Sequence, residues 1–309
     1  MIKAKTIPKS KFSIVLRRFW ALYLIALPIL AYYLLLRFYP MAVQLILSIK
    51  DYKILAGIWG SPWVGLDNFK DALVQADFFT ILKNTLVISV LKIAAGFLPS
   101  LLLAIFLFDL KNEVLKNVSQ TLIYIPYFLS WVVVYGVFYV MFSNLGFVNQ
   151  MLKLLGGTEI NFLLSTEWIL PLLIGSELWK HVGFGTIIYM AGLSTINPAQ
   201  YEAARIDGAG PISRIFYISI PGLAPIIVFI FTLSLGRILY AGSEQILLFY
   251  SPATYSVADI LDTWVYRHGL QNLQYSMTSA VTFFQSALGM CLVILSNKLS
   301  IKWTGVGIW

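Results

Sequence analysis

"NPAQYEAARIDGAGPISRIFYISIPGLAP", Asn197 to Pro225, decides how the rest of this chain is read. It stands among long apolar runs and is the longest passage able to fold as a compact, water-facing helix-turn-helix between two of them. Asn197 is a good N-cap, Pro198 suits the first helical position, and Gln200 sits where a capping-box partner reaches back to the cap. Gln200 to Asp207 is rich in helix formers. Gly208 and Gly210 then supply the permissive backbone that ends a helix before Pro211 opens another. The pattern predicts a short helix, a tight bend and a second helix running into a membrane. A cytoplasmic connector that merely solvates two spans folds the same way, so local physics leaves that reading open.

Composition puts the flanking runs in lipid. Hydrophobic residues make up 59% of the 309 and charged residues 12%, with a mean hydropathy of +0.80. A soluble domain of this length has no use for so much apolar side chain. The net charge of +8 is dispersed at the ends of apolar runs and forms no single face. The positive-inside rule accounts for it, and it argues against a nucleic-acid partner. Cys291 is alone in an apolar run, and His181 and His268 are far apart, so neither a disulfide nor a metal site is expected.

Six spans follow from the apolar runs. Residues 1–18 carry six basic residues and no acid, and lead into a first span, Phe19 to Tyr39, too long and too aromatic at its end for a cleaved signal peptide. An outer segment, 41–82, contains "GIWGSPWVGLDNF", whose Trp59 and Trp63 suit an interfacial belt. The second span is Asn84 to Leu107, with Lys92 inside it expected to snorkel. The third, Leu122 to Phe142, is interrupted by Pro126, and "LGFVNQMLKLLGG" in the following outer loop reads as a short surface helix. The fourth, Trp168 to Ile196, is the least lipid-like. Glu177 and Lys180 share one of its faces beside Trp179 and His181. They either neutralise each other against neighbouring helices or line a hydrated path, as intramembrane charges often do.

The fifth span is Ile215 to Leu239, with Pro221 and Pro225 placed to kink its start. The sixth is Ser276 to Leu295. Between them, residues 241–275 combine Glu244 and Gln245 with Tyr250, Tyr255, Trp264 and Tyr266. Their aromatics suit either the stacking of sugar rings or a membrane interface. An even span count places both termini on one side, and the basic ends and the Asn197 stretch fall on that same cytoplasmic side. No G-x-x-x-x-G-K-[ST] phosphate loop, G-x-S-x-G or H-E-x-x-H occurs, so an ATPase or hydrolase site within this chain is not expected.

Glu202, Ala203, Ala204, Gly208 after three more residues, and Ile218-x-Ile220-Pro221 after nine more resemble the "EAA…G………I-x-L-P" signature of membrane subunits of ATP-binding-cassette importers. Ile220 replaces the usual leucine. Further segments, "GSPWVGLDNF", "IPYFLSWVVV", "LWKHVGFGTIIYMAGL" and "GSEQILLFY", are similar to the sugar-importer branch, in particular to oligosaccharide and polysaccharide permeases of the aldouronate or alginate kind. Glu177 departs from that pattern, where an apolar residue is more usual.

The resemblance implies an all-α integral membrane protein with the binding-protein-dependent (MetI-like) permease fold, in a bacterial plasma membrane with both termini cytoplasmic. It divides the chain into a basic segment 1–18, a first helix with its outer segment 19–82, a core permease domain 83–298 with coupling helices at 197–214, and a tail 299–309. It implies a homologous second permease, two ATPase subunits that carry the ATP and Mg, and an extracytoplasmic solute-binding protein that delivers the sugar. No cofactor is expected on this chain itself. Glu202, Ala203, Ala204, Arg205, Asp207, Gly208 and Pro221 would couple to the ATPase. Glu177, Trp179, Lys180, Glu244, Gln245 and Trp264 are candidates for the translocation path. A permease for a non-sugar solute shares the coupling motif, and a secondary carrier leaves that motif unexplained.

Overall fold

The computed structural model describes residues 18–305 and 307–308. The basic segment expected at 1–18 therefore lies, apart from Arg18, outside the described residues. The described chain is helical, with no β-strand and a single isolated bridge between Lys50 and Trp63. Among the described residues five helical stretches are long and apolar enough to cross a membrane: Trp20–Ser48, Phe78–Asp109, Trp131–Leu154, Pro211–Gly236 and Tyr275–Lys302.

Helix α1, Trp20–Ser48, runs nine residues past the expected end at Tyr39. Pro40 does not stop it, because the preceding turn widens: Leu34–Phe38 is a π-turn in which the Tyr39 N–H bonds to Leu34 O. A proline lacks an N–H and crowds the carbonyl four residues back, and the wider turn relieves that crowding. The same arrangement recurs before Pro221. Ile215–Ser219 is a π-turn closed by the Ile220 N–H on Ile215 O.

After α1 the chain folds around Lys50. Its ammonium donates to Ile58 O at 2.9 Å and Trp59 O at 3.2 Å and lies 4.4 Å from the Trp63 ring. Trp59 and Trp63 remain largely exposed. A short helix α2, Asp67–Val74, leads to α3, Phe78–Asp109. At 32 residues α3 is about 48 Å long, so it extends beyond a hydrocarbon core of about 30 Å.

The expected third span is two helices. Helix α4, Glu113–Tyr124, ends in a 3-10 turn at Ile125–Phe128, and α5 restarts at Trp131 and runs to Phe142. Pro126 breaks the ladder outright, and Ser130 caps the new start by accepting from the Val133 N–H. Helix α6, Phe147–Leu154, is the expected short helix after the third span. It is pinned by the fully buried Asn149, which exchanges hydrogen bonds with Ile160 and donates to Ser143 O.

Helix α7, Ile169–Leu193, is the centrepiece. Its 25 residues can cross a membrane, yet Glu177, Lys180 and His181 keep it out of the five apolar stretches. It buries Ile169, Leu173, Ser176, Lys180, Gly183 and Thr186 at helical spacing, and its most extensive packing is on α3. Small and hydroxyl residues set the approach: Ser100 Oγ donates to Val182 O at 3.0 Å, and a Cβ on Gly185 would sit 2.5 Å from Ser100 Oγ. Gly183 lets α7 touch the backbone where α4 ends, since a Cβ there would lie 2.3 Å from Ile123 O. Gly183→Val should cost about 1–3 kcal/mol. A purified complex that then loses its monodispersity on heating only at the wild-type temperature would contradict this packing.

Beyond α7 come α8, Pro198–Ile206, α9, Pro211–Gly236, α10, Ser243–Phe249, α11, Leu261–Val265, and α12, Tyr275–Thr304. The second half of α1 packs along α12. Three apolar clusters follow α3 along its length, around Phe78 and Ile81, around Ile88, and around Leu101 and Ile105. Between α10 and α11, Asp259, buried, receives Arg267 through two bonds of 2.8 and 2.5 Å. That bonding holds the Arg267 guanidinium above its ordinary pKa. Tyr255 stacks under the same guanidinium and against Tyr250, so these two aromatics are occupied by the fold.

Candidate functional site

Helix α8 begins as its sequence dictates, with Asn197 Oδ1 accepting from the Ala199 N–H at 3.0 Å and Pro198 at the first position. Gln200 does not close a capping box; only its backbone N–H returns to Asn197 O. The helix ends in a Schellman motif: Ala209 N–H to Ala204 O at 2.8 Å and Gly208 N–H to Arg205 O at 3.1 Å, with Gly208 at φ +77. Gly210 then precedes Pro211, which opens α9.

No residue of α8 is buried. Glu202, Ala203, Arg205, Asp207 and Gly208 are exposed and Ala204 is half-buried. Among the described residues, the side chains of Glu202, Arg205 and Asp207 have no hydrogen-bond or ion-pair partner. Beside them stands Ile206, 86% exposed, with Ile212 at 71% on the next helix. A helix-turn-helix that leaves three charges unpaired and two isoleucines in the open is shaped for another protein. The isoleucines were not singled out from sequence, though an apolar residue inside a polar, capped helix is a legible signal. Pro221 is exposed at the exit of the π-turn in α9.

The path candidates separate into different environments. Glu177 does not pair with Lys180. Its carboxylate lies 3.4 Å from Lys92 Nζ and 2.9 Å from His181 Nδ1. Lys92 does not snorkel either: it is 9% exposed and donates to Ala241 O at 2.7 Å and to Gln245 Oε1. Gln245, fully buried, passes the chain on to Leu173 O and Ser176 Oγ, both at 2.7 Å. The lysine faces protein because α7 and α10 supply acceptors within reach, which is cheaper than stretching to the interface.

Lys180 has partners of its own and donates to Tyr127 O at 3.0 Å and to Leu129 O. Those carbonyls lie at the break after Pro126, so the ammonium satisfies acceptors that the interrupted ladder leaves open. Tyr127 and Trp131 flank it with their rings 5.8 and 5.5 Å away. Trp179 is 38% exposed, edge-on to Phe138. Glu244 is exposed in the first turn of α10. Trp264, expected on the path, is fully buried, stacked on His268 at 4.2 Å and edge-on to Phe78. It is a core residue, buried because α11 folds inward against α3.

Residues 96–303 match the family of binding-protein-dependent transport system inner membrane components. The chain belongs to that family. As a permease it is similar to the polygalacturonan/rhamnogalacturonan transport system permease protein YteP of Bacillus subtilis (strain 168), 39% identical over 93% of this chain and 90% of that one. Protein LplB of the same organism is 38% identical over 93% and 91%. Among solved structures, a chain of a bacterial alginate ABC transporter, in complex with an alginate pentasaccharide-bound periplasmic protein, superposes with a TM-score of 0.88 at 34% identity. That match covers 95% of this permease and 98% of the other chain.

Proposed function

We propose that this permease crosses a bacterial plasma membrane six times with both termini in the cytoplasm, α7 being the sixth span beside the five apolar ones. It pairs with a homologous second permease, receives an oligosaccharide from an extracytoplasmic binding protein, and is driven by two ATPase subunits that hold the ATP and Mg. The observation that carries this is α8: a capped helix with no buried residue, with Glu202, Arg205 and Asp207 unpaired and Gly208 forming its bend. Ala203, Ala204 and Gly208 offer almost no side chain there, so an ATPase can approach the backbone closely. Closure of the ATPases on ATP would then rock α8 and, through α9, the spans.

The sugar is an acidic one on this reading. Two of the similar proteins are named for polymers of uronic acids, polygalacturonan and alginate. Lys180, bonded to carbonyls and flanked by Tyr127 of the 3-10 turn and Trp131 of α5, brings positive charge beneath those two rings without a hydrogen-bonded carboxylate. Trp179 and Glu244 are the exposed path candidates, while Glu177 and Gln245 support them from behind.

Purification in mild detergent of the chain tagged at its C terminus tests the assembly. A second permease of similar size and an ATPase should co-elute, with ATP hydrolysis in the eluate. A single species without hydrolysis, from membranes that still take up sugar on an ion gradient, would move the protein to the secondary carriers.

A further inference from the structure

Among the described residues, α8 makes one side-chain hydrogen bond to another helix. The Tyr201 hydroxyl lies 3.0 Å from Ser219 Oγ. The Tyr201 ring also meets Phe108 at the end of α3, 6.1 Å between centroids. Tyr201 is half-buried beneath the helix, whereas Glu202, Ala203 and Arg205 are exposed. Ser219 is 4% exposed and is the last residue of the π-turn in α9. Two residues on, Pro221 lacks the N–H that Tyr217 O would otherwise receive, so α9 is locally weak where the tether attaches.

We propose that Tyr201 is a positioning residue of the transport cycle. Its hydroxyl ties α8 to the π-turn of α9 while its ring pivots on Phe108, so a shift of α8 is delivered to the hinge of a membrane span. A rigid pull on a stiff helix would move the whole span; a pull at a π-turn next to a proline bends it. The hydrogen bond is then part of the coupling between ATP closure and opening of the path, not of the grip on the ATPase. This rests on α8 being the ATPase-facing helix.

The test uses the whole importer, with both permeases, the ATPases and the binding protein, reconstituted in lipid vesicles with galacturonate oligosaccharides as probe. Uptake and ATP hydrolysis are measured together for Tyr201→Phe, Ser219→Ala and the double variant. Phenylalanine keeps the ring on Phe108 and removes only the hydroxyl. Sugar moved per ATP should fall about threefold to tenfold in each single variant, with no further fall in the double, since both remove one bond.

An unchanged ratio in all three would overturn the proposal. So would a proportional fall of uptake and hydrolysis at constant ratio, which is what a packing defect gives, or effects that multiply in the double. A wild-type complex that shows no ATP-driven uptake would instead strike the functional assignment, before any substitution is made.

Discussion

Gly208→Leu is expected to abolish ATP-driven uptake while leaving the chain inserted and recoverable. Within this chain a Cβ at Gly208 meets nothing within 4 Å, so the leucine side chain does not disturb the permease's own packing. What it meets is the positive φ of +77, which costs an L-residue about 1–2 kcal/mol, and whatever protein covers α8. The two costs separate by substitution. Asparagine tolerates the left-handed region, alanine pays the backbone cost with little bulk, and leucine pays both. Uptake in the order asparagine, alanine, leucine, with leucine at background, locates a partner surface against the bend. Equal losses for alanine and leucine would mean that only the Schellman turn matters. Intact uptake in Gly208→Leu would remove α8 from the coupling path.

Glu177→Ala is expected to be the second severe change. It strips Lys92 of its carboxylate in a place where the ammonium is 9% exposed, and breaking such a buried pair costs about 3–5 kcal/mol. Recovery of the assembled complex should fall about tenfold or more. The double variant Lys92→Met, Glu177→Leu removes both charges and should regain most of that recovery, because an apolar pair of similar volume is often neutral or stabilising. If Glu177→Ala assembles normally and changes which sugar is taken up, the carboxylate lines the path and the structural account of the pair is wrong.

The two sites were not equally legible. The helix-turn-helix could be read from Asn197, Pro198, Gly208 and Pro211 because caps, breakers and positive-φ glycines act within a few residues of themselves. Its start, its Gly208 bend and its second start are where the residues put them, with only the Gln200 capping box missing. The charged residues of the spans were misjudged. Glu177 and Lys180 share a face by spacing, yet each is taken by a different element: Lys92 of α3 and His181 for the one, and the carbonyls at the Pro126 break for the other. Spacing along a helix says which residues can meet, not which partner wins when another helix brings a better one. Trp264 looked like a lining aromatic and is core, since nothing local records that α11 turns inward.

The sequence by itself determined the membrane class and the α8 bend, which depend on composition or on neighbours within one or two turns, and the family signature, which is read along the chain from Glu202 to Pro221. The tertiary structure decided that Pro40 and Pro221 are absorbed by π-turns, that the carbonyls freed at Pro126 are taken by Lys180, and that Lys92 is buried. It also decided that Tyr201 reaches Ser219, 18 residues away. Each of those depends on what a neighbouring helix offers in a medium without water to satisfy a backbone carbonyl or an ammonium, and only the packed helices can supply that partner.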